Sequence, residues 1–298
     1  MTPGRTSEGQ GLFLAFASAA AFGTNIVSAQ IAGAVGLGGP LLVFYRVLIM
    51  LVLVGAVALL ARASLALLRH QRLPVLLFGV ATALVGTAYL SSVSFVPVSV
   101  AAVIFYTYPV LIVLAEPLLT PAPFRVDRLA VALVAFIGIA LVVGPDLHGL
   151  DPRGLVLAGL ASLAAAAQFF AAAHCATIAT MPKLFWSHVV ILPVTLAIVA
   201  LTGSFQPPHA FLLAPIAVAV TYGGYLVGFV LQILALARIA PGPAGLAFCA
   251  EPIFAVAIAA VVLGERLGAL QYAGGALVIA ALVANVILEQ TRRRPMPA

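Results

Sequence analysis

Charge is what this chain has least of. Lys, Arg, Asp and Glu together make up 7% of its 298 residues, against about a quarter in a soluble domain, so an ordinary water-facing surface cannot be built from it. Cysteine is scarcer still: Cys175 and Cys249 are the only two, and both stand in apolar segments. That excludes a disulfide framework and a spaced set of metal ligands. There is no P-loop string, no Gly-x-Ser-x-Gly, no His-Glu-x-x-His and no Ser/His/Asp set at readable spacing, so neither nucleotide-driven nor hydrolytic chemistry has support. No enzyme activity, cofactor or metal is expected. The net charge is +6 with a pI near 9.8, yet no basic face with interleaved aromatics exists to hold a nucleic acid.

Hydrocarbon is what the chain does have. At 64% hydrophobic with a mean hydropathy of +1.23, it reads as a polytopic all-α membrane protein whose main partner is the lipid bilayer. Runs of about 20 apolar residues bounded by charge, Pro or Gly predict ten spanning helices, over residues 11–31, 40–61, 74–94, 97–118, 126–144, 154–174, 183–202, 210–234, 240–263 and 269–289. The short connections leave no room for a soluble domain. Residues 1–10 are polar and lead into an apolar run rather than a cleavage site, so no removable signal peptide is expected.

The basic residues set the orientation. With the N-terminus in the cytoplasm, that side carries Arg5, Arg62, Arg69, Arg72, Arg125, Arg128, Lys183, Arg238, Arg292, Arg293 and Arg294, and the other side keeps Arg46, Arg153 and Arg266. Eleven against three predicts both termini inside.

Sliding the chain against itself by 143 residues sets FYTYPVLIVLAEPLL, from Phe105, on FCAEPIFAVAIAAVV, from Phe248, with Pro109 on Pro252. The same shift pairs Asn25 with Gln168. One ungapped offset serving both ends of each half indicates a five-plus-five duplication, with a first half over 1–149 and a second over 150–298. Five crossings deliver the chain to the opposite face, so the second half enters inverted. Inverted repeats are a recurrent plan of secondary transporters, with the substrate site near the midplane.

The pair Pro97 and Pro109, the string EPIFAVAIAAVVLGERLGALQYAGGALVIAALV from Glu251, and FYRVLIML opening the second helix resemble the drug/metabolite transporter superfamily, EamA type, over nearly the whole chain. The resemblance implies a basket-like bundle of ten helices that exports small metabolites. Within the superfamily the pattern is similar to bacterial amino-acid exporters of the YddG kind, which carry aromatic and other neutral amino acids outward.

Several residues are candidates for transport. A carboxylate in a membrane helix costs roughly 2.5–3.5 kcal/mol on insertion scales, so Glu251 is expected to face the bundle interior. There it is either a proton-titratable coupling group or an interhelical hydrogen-bond partner. Pro252 and Pro109 lack an N–H and clash with the carbonyls of Phe248 and Phe105, which predicts a bend at the same place in each half. Tyr89, Tyr106 and Tyr108 read either as the wall of a substrate cavity or as interfacial belt residues. Tyr222 and Tyr225, three apart on one helical face, carry the same two readings. Asn25 and Gln168 would bind a zwitterion's end groups or tie helices together. His174 and His188, near the cytoplasmic ends of the sixth and seventh helices, read as interfacial residues or proton relays, and Arg46 as a residue at the outer end of the second helix that draws in a carboxylate or snorkels to the headgroups.

The expectation is an inner-membrane secondary transporter exporting amino acids or related small molecules by alternating access. Its driving force stays open among proton antiport, exchange and facilitated diffusion. A broad cationic drug exporter and a non-transporting membrane scaffold are the rival readings. Each chain holds both halves, so a monomer suffices.

Overall fold

The computed structural model describes residues 3–121, 123–144, 150–264 and 266–291. Glu265 of the EamA-like string and the arginines Arg292, Arg293 and Arg294 of the orientation count lie outside them. Twelve helices make up the described chain: α1 (Pro3–Ala34), α2 (Gly39–Leu60), α3 (Arg69–Ser92), α4 (Val98–Phe105), α5 (Tyr108–Leu119), α6 (Val126–Val143), α7 (Pro152–His174), α8 (Thr180–Leu201), α9 (Pro215–Leu236), α10 (Pro241–Phe248), α11 (Ala250–Val262) and α12 (Ala269–Thr291). With α4–α5 and α10–α11 each counted as one broken span, ten segments are long and apolar enough to cross a membrane. An even number of crossings leaves the two ends of the described chain, residues 3 and 291, on one side, here called the N-terminal face.

Three helix starts differ by five residues or more from the sequence expectation, and the largest difference is at α1, which begins at Pro3 instead of 11. α3 starts at Arg69 instead of 74, because Gln71 Oε1 accepts the Leu68 backbone N–H at 3.0 Å and caps a polar first turn that hydropathy does not see. Residues 208–213 form a 3-10 turn, and α9 begins only at Pro215, expected from 210. A proline fits the first helical position, where its missing N–H costs nothing, far better than a helix interior.

The expected bends are breaks. Pro109 has no N–H for the Phe105 carbonyl, and just upstream the ladder tightens, with Thr107 N–H donating to Ile104 O at 3.1 Å before helical bonding resumes from Leu111 N–H to Thr107 O. In the other half Cys249 N–H donates to Leu246 O at 3.0 Å, and Pro252 stands in the first turn beyond it. Both breaks fall at the positions the 143-residue offset equates.

Packing obeys the same two-fold relation. α1 lies along α9 as α7 lies along α3, α1 meets α10 and α11 as α7 meets α4 and α5, and α2 packs on α8 and α6 on α12, each on its own repeat mate. In lipid the helices gain little from hydrophobic burial, so close approach depends on small residues. Gly224 sits where an added Cβ would stand 2.8 Å from Ala21 O, and Gly274 where it would stand 2.6 Å from Gly138 O. The two broken spans cross where a Cβ on Gly245 would meet Ile112 Cδ1 at 2.8 Å. Around this interior the outer surface is hydrocarbon, with Leu60, Leu118 and Leu201 all more than four-fifths exposed.

A polar centre where the broken helices meet

α11 begins beside the second break and holds Glu251 in its first turn; its repeat mate, Tyr108, opens α5. Glu251 is half-buried, and Tyr106 and Arg46 are the groups whose polarity acts on its carboxyl. An aromatic wall runs from there along the first half. Tyr89 packs edge-on against Phe105 at 5.4 Å between centroids, Phe105 touches Tyr106 and Tyr108, and Tyr108 stacks on Phe169 at 5.4 Å and 26°. Phe169 in turn meets Phe248, the repeat mate of Phe105, at 5.6 Å. Tyr108 is 3% exposed and Tyr106 6%, whereas Tyr89 is half-buried. The three tyrosines therefore belong to one cluster, with Tyr89 on its more open side.

On the opposite flank is a second, charged group. Asn25 of α1 donates from Nδ2 to Thr221 O of α9 and accepts at Oδ1 from Arg46 Nη1 at 3.1 Å. The Arg46 guanidinium lies 4.4 Å from the centroid of the Tyr225 ring. His188 Nδ1 faces the Leu184 carbonyl at 2.8 Å and so carries the proton, which leaves Nε2 to accept from the Tyr225 hydroxyl at 3.0 Å. Arg46 Nε is buried without a partner. Gln168 takes the repeat-related place in the other half, donating to Thr82 Oγ1 at 2.8 Å, and Thr82 is the repeat mate of Tyr225. Both amides thus tie a first-helix equivalent to a third-helix equivalent, and Asn25 alone also holds a cation.

Arg46 and His188 are deeper than expected from sequence. Arg46 is seven residues into α2 and His188 eight into α8, about 10 and 12 Å of helix rise from their starts. The interfacial reading of His188 and the snorkelling reading of Arg46 are both overturned, because each side chain turns inward onto Tyr225. The repeat offset held a signal for this cluster: Thr82 and Tyr225 are mates just as Asn25 and Gln168 are. His174, by contrast, is exposed near the N-terminal face, its Nδ1 2.8 Å from Phe170 O. Trp186 is exposed too, its indole N–H donating to Leu65 O at 2.8 Å.

A buried charge pair lies toward the N-terminal face. Glu116 Oε2 of α5 accepts from Arg128 Nη1 of α6 at 2.7 Å, and the two residues are 4% and 8% exposed. A Cβ on Gly242, at the start of α10, would lie 2.9 Å from the same Oε2. Nearby, Lys183 Nζ donates to Cys175 O at 2.9 Å, and burial pushes the Cys175 thiol up to about 11. At the opposite face Arg153, by side-chain and backbone hydrogen bonds, holds the Asp151 carboxyl below its ordinary value. A separate groove of about 450 Å³ between α1, α11 and α12, lined by Phe16, Phe254, Leu282 and Val286, is almost wholly apolar and opens outward. It suits an acyl chain and contains none of the polar groups above. Among the described residues no cluster of His, Cys, Asp and Glu is arranged to hold a metal.

The sequence matches the family model of the EamA-like transporter family twice, over residues 9–144 and 152–287. No curated protein matches it. A solved crystal structure aligns with 96% of this chain and 99% of its own, at 19% identity and a TM-score of 0.77. At that identity the likeness shows the fold alone.

Proposed function

The chain belongs to the EamA-like transporter family, and from that premise we propose that it exports small amphipathic metabolites, amino acids first, across the bacterial inner membrane by alternating access between its two inverted halves. Both termini then lie in the cytoplasm, in keeping with the excess of Arg and Lys on the N-terminal face. The observation that carries the reading is the meeting of two broken helices at the half-buried Glu251, with an aromatic wall on one flank and Arg46 on the other. Broken helices at matching repeat positions are where transporters of this plan place their substrate. The tyrosine and phenylalanine rings suit a solute with an apolar or aromatic side chain.

A cationic drug exporter is the rival in the same class. Glu251 would favour a cation, but Arg46 shares the site and repels it across a low-dielectric interior, where charges act over longer distances than in water. A scaffold without transport would have no need of an arginine and a glutamate in the membrane, each costing roughly 2.5–3.5 kcal/mol to insert.

Proteoliposomes loaded with unlabelled amino acid and presented with labelled Thr, Met, Phe or Trp, beside a cationic dye, separate these readings. The proposal expects counterflow of the neutral amino acids and little of the dye. Dye movement without amino-acid movement would reverse it. Repeating the assay at two imposed pH gradients with Glu251→Gln assigns the glutamate: gradient dependence lost in the variant makes it the coupling group, and an unchanged response leaves it an interhelical partner.

A further inference from the structure

We infer that Arg46 is the group that recognises the solute, gripping a carboxylate through its Nε edge, so that the cargo is restricted to carboxylate-bearing molecules with zwitterions first. This deepens the transport reading above and rests on it.

The chain itself shows how its arginines hold carboxylates. Arg125 donates from Nε and Nη2 to the two oxygens of Asp127, at 3.0 and 2.7 Å. Arg153 presents the same Nε and Nη2 edge to Asp151, at 3.1 and 2.7 Å to Oδ2. Arg46 belongs to neither kind of pair. Its Nη1 is spent on the amide of Asn25, and the buried Nε, half of the edge that takes a carboxylate elsewhere, has no partner. An unpaired donor on a cation at membrane depth is expensive, and a ligand that completes it is the direct remedy.

The fork is held in place before any ligand arrives. Asn25 is fixed by its bond to Thr221 O, and Tyr225, under the guanidinium plane, is fixed by His188. Helices α1, α2, α8 and α9 thereby aim one edge of Arg46, and such preorganisation lowers the cost of binding a planar anion. The groups facing the guanidinium from these elements and α11 are Asn25, Tyr222, Tyr225, His188 and Glu251. Glu251 is near enough for its charge to be felt, yet no ion pair joins it to Arg46 among the described contacts. A zwitterion would span them, carboxylate to Arg46 and ammonium toward Glu251. The device exists once per chain, since the repeat mate of Arg46 is Val189, so it is not a requirement of the two-fold packing.

The test is counterflow of matched solutes: phenylalanine, its methyl ester and its amide, and 3-phenylpropionate, which keeps the carboxylate and lacks the ammonium. Wild type should prefer the acids over the ester and amide by roughly ten- to a hundredfold, the span of a hydrogen bond to a charged group. Arg46→Gln should bring that ratio to near one by losing the acids, and Arg46→Lys should keep a reduced preference. Asn25→Asp provides a variant of unchanged shape. It sets a carboxylate of the protein on the guanidinium and gives up the donor to Thr221 O, so the reading is the ratio of acid to ester counterflow, which should fall at least about tenfold, whereas loss of the helix tie alone would lower both together. Acid and ester moving alike in wild type would overturn the inference, as would an unaltered ratio in Arg46→Gln or in Asn25→Asp. Those results leave amino-acid transport standing. Wild-type vesicles that move no acid of any kind would sink both.

Discussion

Replacing Glu116 with Leu removes one half of a buried charge pair. Glu116 Oε2 and Arg128 Nη1 are 2.7 Å apart, with side chains 5% and 9% exposed, so the variant takes the carboxylate away from a buried guanidinium. Breaking such a pair from one side costs about 3–5 kcal/mol, whereas replacing both partners by apolar groups of similar volume is often close to neutral. Glu116→Leu and Arg128→Met should therefore each lower stability by about 3–5 kcal/mol, while the double variant carrying both should cost less than either single change. Reversible unfolding in mixed micelles of wild type, Glu116→Leu, Arg128→Met and the variant carrying both changes gives the cycle directly. Gly242→Ala probes the same contact from α10, because its Cβ would stand 2.9 Å from Oε2 and 3.1 Å from Nη1; overpacking of this kind costs about 1–3 kcal/mol. A double variant whose loss equals the sum of the singles would refute the reasoning, since the two residues would then act independently.

Two further outcomes follow from the packing. Gly274→Ala drives a Cβ to 2.6 Å from Gly138 O and 2.8 Å from Val142 N, backbone atoms that cannot rotate away, so it should lower the unfolding free energy by about 1–3 kcal/mol; Gly275→Ala, which meets nothing within 4 Å, is the matched control. Tyr225→Phe leaves His188 Nε2 buried without its donor and should cost about 1–3 kcal/mol, with the pair Tyr225→Phe and His188→Phe recovering part of that loss in the same assay.

The spans and the inverted repeat were legible because the bilayer imposes a length and the duplication leaves one constant offset. Proline reading located both breaks, since Pro109 and Pro252 act through their own missing N–H, a local effect. The starts of α3 and α9 were misplaced where a side-chain cap and a proline outweighed hydropathy. At the centre, Glu251, Tyr106 and Tyr108 were found as intramembrane polar residues beside prolines. Arg46 and His188 were not placed, because position along a helix does not tell which way a side chain turns; both are drawn inward by Tyr225, whose neighbours come from α1, α2 and α8. Tertiary packing alone brings those together.

The central claim is that solute passes between the halves at Glu251. It is tested by placing a single thiol there, Glu251→Cys with Cys175→Ala and Cys249→Ala, in oriented proteoliposomes, and measuring its rate of alkylation by a membrane-impermeant reagent applied from each face in turn. The account predicts labelling from both faces and a slower rate at saturating phenylalanine. Labelling from one face only, or from neither, with no effect of the amino acid, would contradict it.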